Sequence, residues 1–469
     1  MNTKTLIQKI KQNYQPFHPE TNNNISAWAY YIENALDAEE TVRNDKRVFY
    51  FEIYTDSQIK YICENIESNQ FIPASYSFTA ILSEKMDERQ IYNIRQAFTP
   101  NTYARIMLRD NSAIMADGEN HISGRLQFSY IPVAKYRNND SFKTLPTFCD
   151  ATMCWKINAS ARLSESELIK KLDKIVNDIR NNSSTSLPES PLVSDNLPDE
   201  ETNKTQVNIY NVGGGNTTLA MYPNGKSLLI DCGIDTYNPK NYLNTIRTII
   251  NNICPSIILI SHWHLDHYSL FNFINKDNLE WIIVPNTPSM PPSIAITICS
   301  LRTKLGKNLV LDLSSVNNWP NNFLQLMGYK NTFLFTGMGQ TPNPNSGLSG
   351  PPYTDIENET AIIVSIGTSW KKIIIPSDVS YFNWPDKQEL KISDGCYFIV
   401  PHHGGNVFLT QLSVLNSVKY ETIYISTNFC HMLNNHQDYL NKMMSNMFPE
   451  TPDYKYTIYC PNTHYWCYF

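Results

Sequence analysis

The stretch that decides the fold is residues 257–267, which read Ile-Ile-Leu-Ile-Ser-His-Trp-His-Leu-Asp-His. A short apolar run, long enough for a buried strand, ends in three histidines and one aspartate. In an extended segment His262 and His264 point the same way because side chains alternate, while Asp266 and His267 can face a second point nearby. Imidazole and carboxylate groups suit zinc and similar divalent ions, and two such ions about 3.5–4 Å apart activate a water for hydrolysis. The pattern predicts a metal site. The alternative is a surface loop rich in histidine, which the total of 10 histidines in 469 residues disfavours.

Two later segments repeat this arrangement of an apolar strand followed by polar ligands. Residues 372–375 are followed by Pro376-Ser377-Asp378, and residues 397–400 run into Pro401-His402-His403. Because adjacent side chains of an extended chain point in opposite directions, one of these two histidines could bind metal while the other faces substrate as a proton donor. Asp231, at the end of a further strand, could orient a ligand histidine or sit close to the metals; the alternative is an aspartate that only caps a turn.

His-Trp-His-Leu-Asp-His resembles the HxHxDH signature of the metallo-β-lactamase-fold hydrolases. The resemblance implies an α/β fold with an αββα sandwich and two divalent metal ions, Zn²⁺ first and Mn²⁺ as the alternative. The implied metal ligands are His262, His264, Asp266, His267, Asp378, His403 and His436. Asp378 would bridge the two ions. Asp266 and His402 are the implied catalytic residues, with His402 protonating the leaving oxygen.

The order of segments over residues 207–445, about half of the chain, resembles the hydrolase domain of the bacterial DNA-uptake competence proteins. The counterparts here are Asn211-Val212-Gly213-Gly214-Gly215-Asn216, Ile230-Asp231-Cys232-Gly233, His262–His267, Ser377-Asp378, His402-His403-Gly404-Gly405 and Asn435-His436-Gln437. Asn211 and Asn216 replace acidic residues of that branch, Ser377 stands where it has glycine, Gly405 replaces its serine and Gln437 its proline. No histidine lies between His267 and Asp378, so the usual third histidine of the first metal site is absent. Water, another oxygen ligand, or one of His402 and His403 could complete that site. The glycine run 213–215 is interpreted as a backbone turn under the active site rather than a phosphate loop, because no Gly-Lys-Ser/Thr follows it.

Length and composition predict two to three domains. Residues 1–180 are predicted to form a smaller α+β accessory domain, of which residues 1–45 look mixed and partly helical. Residues 181–206 are rich in Ser, Pro, Asn and Glu and are predicted to be a linker. Residues 207–469 are the predicted hydrolase domain. Strands are predicted at 47–54, 103–108, 125–135, 151–163, 207–211, 218–222, 227–230, 257–260, 281–284, 308–311, 361–366, 372–375, 397–400 and 422–426. Helices are predicted at 58–67 and 84–98, after a capping box at 164–167, and at 293–305 and 438–447, with a loop over the site at 341–355.

Charge and cysteine usage limit the binding partners and the cellular compartment that are expected for the chain. The net charge is −6, so the chain lacks the overall positive charge that is typical of nucleic-acid binders. A local basic groove is compatible with this charge. The N terminus has no signal-peptide pattern, and no apolar run approaches the roughly 20 residues of a membrane span. The 10 cysteines show no CxxC pair, which favours free thiols in a reducing cytoplasm.

Two functions from different classes follow. The first is a dinuclear-metal hydrolase, a phosphodiesterase or nuclease, with a cyclic nucleotide or another small phosphodiester as the alternative substrate. The second is a non-catalytic binding or signalling module with a degenerate metal site. In either case no membrane partner is expected, and the N-terminal domain could serve an oligomer or a protein partner.

Overall fold

The computed structural model describes residues 24–34, 47–68, 76–82, 103–110, 120–128, 147–157, 167–182, 205–235, 239–306, 309–315, 323–326, 329, 331–340, 356–367, 371–391, 396–399, 401, 422–425, 455–456 and 465–468. These residues fall into two compact units. Unit 1 takes its residues from 1–183, 271–274 and 287–308, and unit 2 takes the others. The predicted linker is described only at 181–182 and 205–206, so the three-part division of the chain stays a prediction.

The described strands are β1 (Asn24–Asn34), β2 (Arg47–Thr55), β3 (Tyr76–Leu82), β4 (Tyr103–Asp110), β5 (Asn120–Phe128), β6 (Thr147–Ile157), β7 (Gln206–Ile209), β8 (Thr218–Met221), β9 (Ser227–Ile230), β10 (Ile257–Leu259), β11 (Trp281–Val284), β12 (Val310–Asp312), β13 (Phe323–Gln325), β14 (Thr332–Thr336), β15 (Ile362–Gly367), β16 (Lys372–Ile375), β17 (Tyr397–Ile399), β18 (Thr422–Ile425), β19 (Lys455–Tyr456) and β20 (Tyr465–Tyr468). The described α-helices are α1 (Asp56–Asn65), α2 (Glu167–Asn181), α3 (Leu243–Asn252), α4 (Leu265–Tyr268), α5 (Pro292–Leu305) and α6 (Ile356–Glu359). Short 3-10 helices span Pro239–Tyr242, Phe271–Phe273, Leu313–Ser315, Tyr381–Asn383 and Gln388–Leu390.

Unit 1 is built on a closed barrel of antiparallel strands in the order β1-β2-β3-β5-β6-β4. The pairing of β1 with β4 closes it. Strand β1 is the described part of residues 1–45, the segment that was expected to be mixed and partly helical. Trp28, Ala29 and Tyr30 are all buried, so both faces of this strand are covered and the sequence lacks the alternation that marks a half-exposed strand.

Helices α1, α2 and α5 supply the apolar side chains that cover one side of this barrel. Ile59, Leu172 and Ile296 from the three helices share a buried cluster with Trp28 and Tyr30. Helix α1 begins two residues before the predicted start because Thr55 and Gln58 form a capping box. Helix α5, which lies within the predicted hydrolase segment 207–469, is therefore part of unit 1.

Unit 2 contains two sheets, each with seven strands. One has the order β12-β11-β10-β9-β8-β7-β20 and the other β13-β14-β15-β16-β17-β18-β19. Strands β9 to β12 run parallel to one another, as do β16 to β19. One buried cluster unites both sheets, including Leu228, Ile257 and Ile283 from the first with Val364 and Ile373 from the second. The result is a mixed α/β unit with two sheets sharing a core, consistent with the predicted metallo-β-lactamase fold.

Local patterns located most strands of unit 2 well. Strands β9, β11 and β16 have the predicted bounds, and the helix predicted at 293–305 is α5. In unit 1, β5 begins five residues and β6 four residues before the predicted starts at 125 and 151. Strand β20 was not predicted, and it pairs with β7 from more than 250 residues away in the chain. The segments predicted at 84–98, 164–166, 341–355 and 438–447 lie outside the described residues. In the part of the chain that is described, no helix has the length and apolar character needed to cross a bilayer.

Candidate metal centre

The candidate site lies where two strands end, one from each sheet of unit 2. Strand β10 ends at Leu259, and the chain then presents Ser261, His262 and His264 before α4, which contains Asp266 and His267. Strand β16 ends at Ile375, and Asp378 follows two residues after Pro376. A backbone hydrogen bond from Ile362 N to the Ser261 carbonyl (3.0 Å) joins the two sheets beside these ends. Ligands at the carboxyl ends of parallel strands are a general feature of α/β sheets.

The carboxylate of Asp378 faces two of the three histidines that follow β10, His262 and His267. Its Oδ2 lies 3.7 Å from His262 Nε2, and its Oδ1 lies 3.4 Å from His267 Nε2. Asp266 Oδ1 lies 3.9 Å from the same His267 nitrogen. His262, His267 and Asp378 are all buried, whereas the Asp266 side chain keeps 24% of its surface exposed. Asp266 is therefore the carboxylate of this group that solvent or a substrate can reach.

The donor atoms fit a divalent ion. One ligand atom each from His262, His264 and Asp378 lie within 4.8 Å of one another. Two ligands on one tetrahedral zinc are about 3.4 Å apart, so a modest contraction would bring these atoms to bonding distance. The set combines imidazole nitrogens with carboxylate oxygens, which is the donor chemistry that zinc and similar ions prefer.

Asp231 orients His267, which is one of the roles that the sequence left open for it. Its Oδ2 lies 2.8 Å from His267 Nδ1, and its Oδ1 accepts the backbone N–H of Ser261 at 2.7 Å. Asp231 has φ 54°, the left-handed region in which most side chains are disfavoured. Because Nδ1 of His267 is engaged by this carboxylate, Nε2 is the nitrogen that faces Asp378 and Asp266.

Two serine hydroxyls form a contact network that sequence reasoning missed. Ser261 Oγ donates to Asp231 Oδ2 (2.8 Å) and lies 3.1 Å from His262 Nδ1. Ser377 Oγ donates to Ser261 Oγ (2.7 Å) and lies 3.3 Å from the same His262 nitrogen. The available signal was that each serine directly precedes a predicted ligand, His262 or Asp378.

The site is strongly anionic around His267. Burial lowers the pKa of His267, but the carboxylates of Asp378, Asp231 and Asp266 outweigh burial and raise this pKa well above its usual value. A field that favours a proton on an imidazole equally favours a metal cation in its place.

The glycine-rich loop 213–216 packs beneath the α4 turn, where the sequence predicted a backbone turn. Asn216 N donates to the Asp266 carbonyl (3.1 Å), and Cys232 N donates to the His267 carbonyl (2.8 Å). A Cβ on Gly233 would lie 1.5 Å from the Asp266 carbonyl oxygen, so only glycine allows this approach. Asn216 Nδ2 lies 3.5 Å from His267 Nδ1, which puts a neutral amide beside this imidazole.

The structure thus brings together His262, His264, Asp266, His267 and Asp378. His402, His403 and His436 lie outside the described residues, so the predicted proton donor and the two remaining predicted ligands stay predictions.

The sequence model of the metallo-beta-lactamase superfamily matches residues 210–338. The matched segment contains Asp231 and the whole 262–267 ligand run and ends before Asp378. Over this segment the chain is similar to that superfamily, whose members are generally hydrolases that depend on divalent metals, often Zn²⁺. No curated protein matches the chain.

Proposed function

We propose that this protein is a dinuclear-metal phosphodiesterase, with nucleic acid as its first candidate substrate. The observation that carries the proposal is the placement of the Asp378 carboxylate, whose two oxygens face different histidines at 3.7 Å and 3.4 Å. A carboxylate shared in this way is what a pair of ions about 3.5–4 Å apart requires as a bridge.

Each side chain has a distinct proposed task. His262 and His264 would hold one ion and Asp266 and His267 the other, with Asp378 between them and His403 and His436 completing the ligand set. Two bound Zn²⁺ or Mn²⁺ ions would supply an activated water and polarise the phosphoryl oxygen. Asp266 is the accessible carboxylate and would orient the attacking water, and His402 would protonate the leaving oxygen.

The charge balance supports an anionic substrate. Asp231, Asp266 and Asp378 carry at most three negative charges, against the four positive charges of two divalent ions. Asn216, 3.5 Å from His267 Nδ1, adds no fourth carboxylate to this group. A site with net positive charge attracts a phosphodiester, and the resemblance to the competence hydrolases points to nucleic acid within that class.

The test compares wild type with His264→Ala and Asp378→Ala. Substrates would be single-stranded DNA, RNA, cyclic nucleotides and a generic aryl phosphodiester, with metal content measured on the same samples. We expect both variants to lose at least about a thousandfold in kcat/KM while remaining folded, because each loses a metal ligand. Asp386→Ala is the matched control, since the Asp386 side chain is 95% exposed. Unchanged activity in both site variants would end the proposal.

The second candidate is a binding or signalling module with a degenerate metal site. The absence of a histidine between His267 and Asp378 favours it, because the first ion then lacks its usual third imidazole. Less than one metal per chain after mild purification, with no hydrolysis of any substrate above, would select this candidate. Cleavage of cyclic nucleotides but not of DNA or RNA would select the small-substrate alternative.

The setting of the protein is also part of the proposal. We expect it in the cytoplasm, where thiols stay reduced. Among the described residues Cys63, Cys232, Cys254, Cys299 and Cys396 are all free thiols, which agrees with this compartment. A protein partner or self-association through residues 1–180 is proposed as well, and size measurement in solution tests it.

A further inference from the structure

We propose that Ser377 is a positioning residue of the metal centre, which rests on the proposed metal-dependent function. Its hydroxyl ties the strand end that bears Asp378 to the strand end that bears the histidines, and it helps to present His262 Nε2 to the metal.

The first support is a count of protons around Ser261 Oγ. This hydroxyl has one proton to donate, and that proton goes to Asp231 Oδ2 at 2.8 Å because a carboxylate cannot donate. The Ser377 hydroxyl donates to Ser261 Oγ at 2.7 Å and occupies one lone pair. His262 Nδ1, at 3.1 Å, can then only donate to Ser261 Oγ, so it carries the proton.

The consequence concerns the other ring nitrogen of His262. A neutral imidazole that is protonated at Nδ1 has its lone pair at Nε2, the nitrogen that faces Asp378 Oδ2 at 3.7 Å. The hydroxyl pair therefore selects the ligand tautomer of His262 before any metal arrives. In His267, Asp231 Oδ2 lies 2.8 Å from Nδ1, which leaves Nε2 as the nitrogen that a metal would take.

The second support is the backbone at Ser377. Its φ is 55°, a region where a residue other than glycine costs about 1 kcal/mol. Serine at this position costs backbone strain but supplies a hydroxyl that glycine lacks. This hydroxyl bonds to Ser261, which lies at the other strand end of the site.

The experiment uses the full chain with Ser377→Gly and Ser377→Ala and measures Zn²⁺ affinity by competition with a chromophoric chelator. Both variants should bind Zn²⁺ about tenfold more weakly, which is the usual scale for removing a partner of a metal ligand. Ser377→Gly should unfold at the same temperature as wild type or higher, because glycine relieves the left-handed backbone. Asn331→Gly is the matched control: Asn331 has φ 53° and should show unchanged Zn²⁺ affinity. A Ser377→Gly affinity within about twofold of wild type would overturn the proposal.

A second measurement is independent of metal binding. Long-range ¹H–¹⁵N correlation on the metal-free protein reports which nitrogen of His262 carries the proton. Wild type should show the proton on Nδ1, in slow exchange with water, and Ser377→Gly should show faster exchange. If wild type binds no Zn²⁺, the proposed function fails while this spectrum still decides the hydroxyl network. A proton on Nε2 in wild type would refute the role of Ser377 in either case.

Discussion

Two buried carboxylates of this chain, Asp378 and Glu52, show how surroundings decide the role of an acid. Asp378 faces the imidazole nitrogens of His262 and His267, donors that suit a cation. Glu52, in unit 1, accepts hydrogen bonds from the Tyr54 hydroxyl (2.6 Å), the Ser293 backbone N–H (3.0 Å) and the Ser293 hydroxyl. Glu52 thereby satisfies donors at the first turn of α5 and acts as a structural group.

The effect of Glu52 on stability should depend on pH. Burial raises the pKa of Glu52 above 4.5, against the lowering effect of Ser293, Tyr54 and Arg180. Because the folded-state pKa exceeds the unfolded one, its contribution to stability is full below the unfolded pKa and is lost as pH rises through the folded value. We expect the free energy of unfolding of wild type, relative to Glu52→Gln, to fall in urea titrations as pH rises from the unfolded pKa of about 4 towards the raised folded pKa. If the difference in the free energy of unfolding stays constant as pH rises, the raised pKa of Glu52 is contradicted.

Removal of the carboxylate gives a companion measurement on the same residue. Glu52→Ala should cost on the order of 3 kcal/mol at low pH, because it leaves the Ser293 and Tyr54 donors buried without their acceptor, and this cost should shrink as pH rises.

At the scale of elements, the metal centre depends on close packing between loops as much as on its ligands. The loop after β9 contacts α4 and the residues after it directly: Cys232 N donates to the His267 carbonyl (2.8 Å), and Leu270 N donates to the Cys232 carbonyl (2.8 Å). This packing holds α4, which is one turn long and would not be stable alone. The position of Asp266 and His267 is thus set by backbone contacts from segments that contribute no metal ligand.

Gly233→Ala should therefore destroy the site. The added Cβ would meet the Asp266 carbonyl oxygen at 1.5 Å, and the next nearest atoms, Asp266 C and His267 N, are also backbone, which cannot give way as a flexible side chain can. We expect a loss of about 3 kcal/mol or more in stability and of most bound metal, measured by thermal unfolding and metal analysis.

Gly225→Ala separates this collision from backbone strain. Gly225 has φ +80°, and a Cβ there meets no atom within 4 Å. It should cost only about 1 kcal/mol and leave metal content unchanged. Equal metal loss in both variants would show that the close approach at Gly233 is not the cause.

At the scale of the whole molecule, the chain does not complete one unit before it starts the other. It leaves unit 2 after β11, contributes α5 to unit 1, and returns to unit 2 with β12. The network of Glu52 and Ser293 lies inside unit 1, although 241 residues separate the two in sequence. Unit 1 therefore requires residues beyond 183 for its complete core, including Ile296.

Metal removal should act locally in this architecture. A ligand that binds only the folded state at about 100 times its Kd stabilises by about 2.7 kcal/mol, so a chelator should lower Tm by about 5–10 °C. After metal removal, backbone amide exchange should become faster at residues 260–268 and 376–379, the two segments that carry the candidate ligands, than along α2. His264→Ala should not respond to the chelator. An equal increase of the exchange rate in α2 and in these two segments would contradict a local effect of the metal.

The residue types that stand at the strand ends, and with them the class of site, can be predicted from the amino-acid sequence alone. The 262–267 run, Asp378 and the bounds of β9, β11 and β16 are local signals, because an apolar run and the polar residues after it are adjacent in the chain. Four contacts became known only from the fold. Ser377 bonds to Ser261, and Asp231 contacts His267. Strand β20 pairs with β7, and helix α5 packs in unit 1. The reason is physical: these pairings join segments distant in sequence, and which of them meet depends on how the sheets and their shared core assemble.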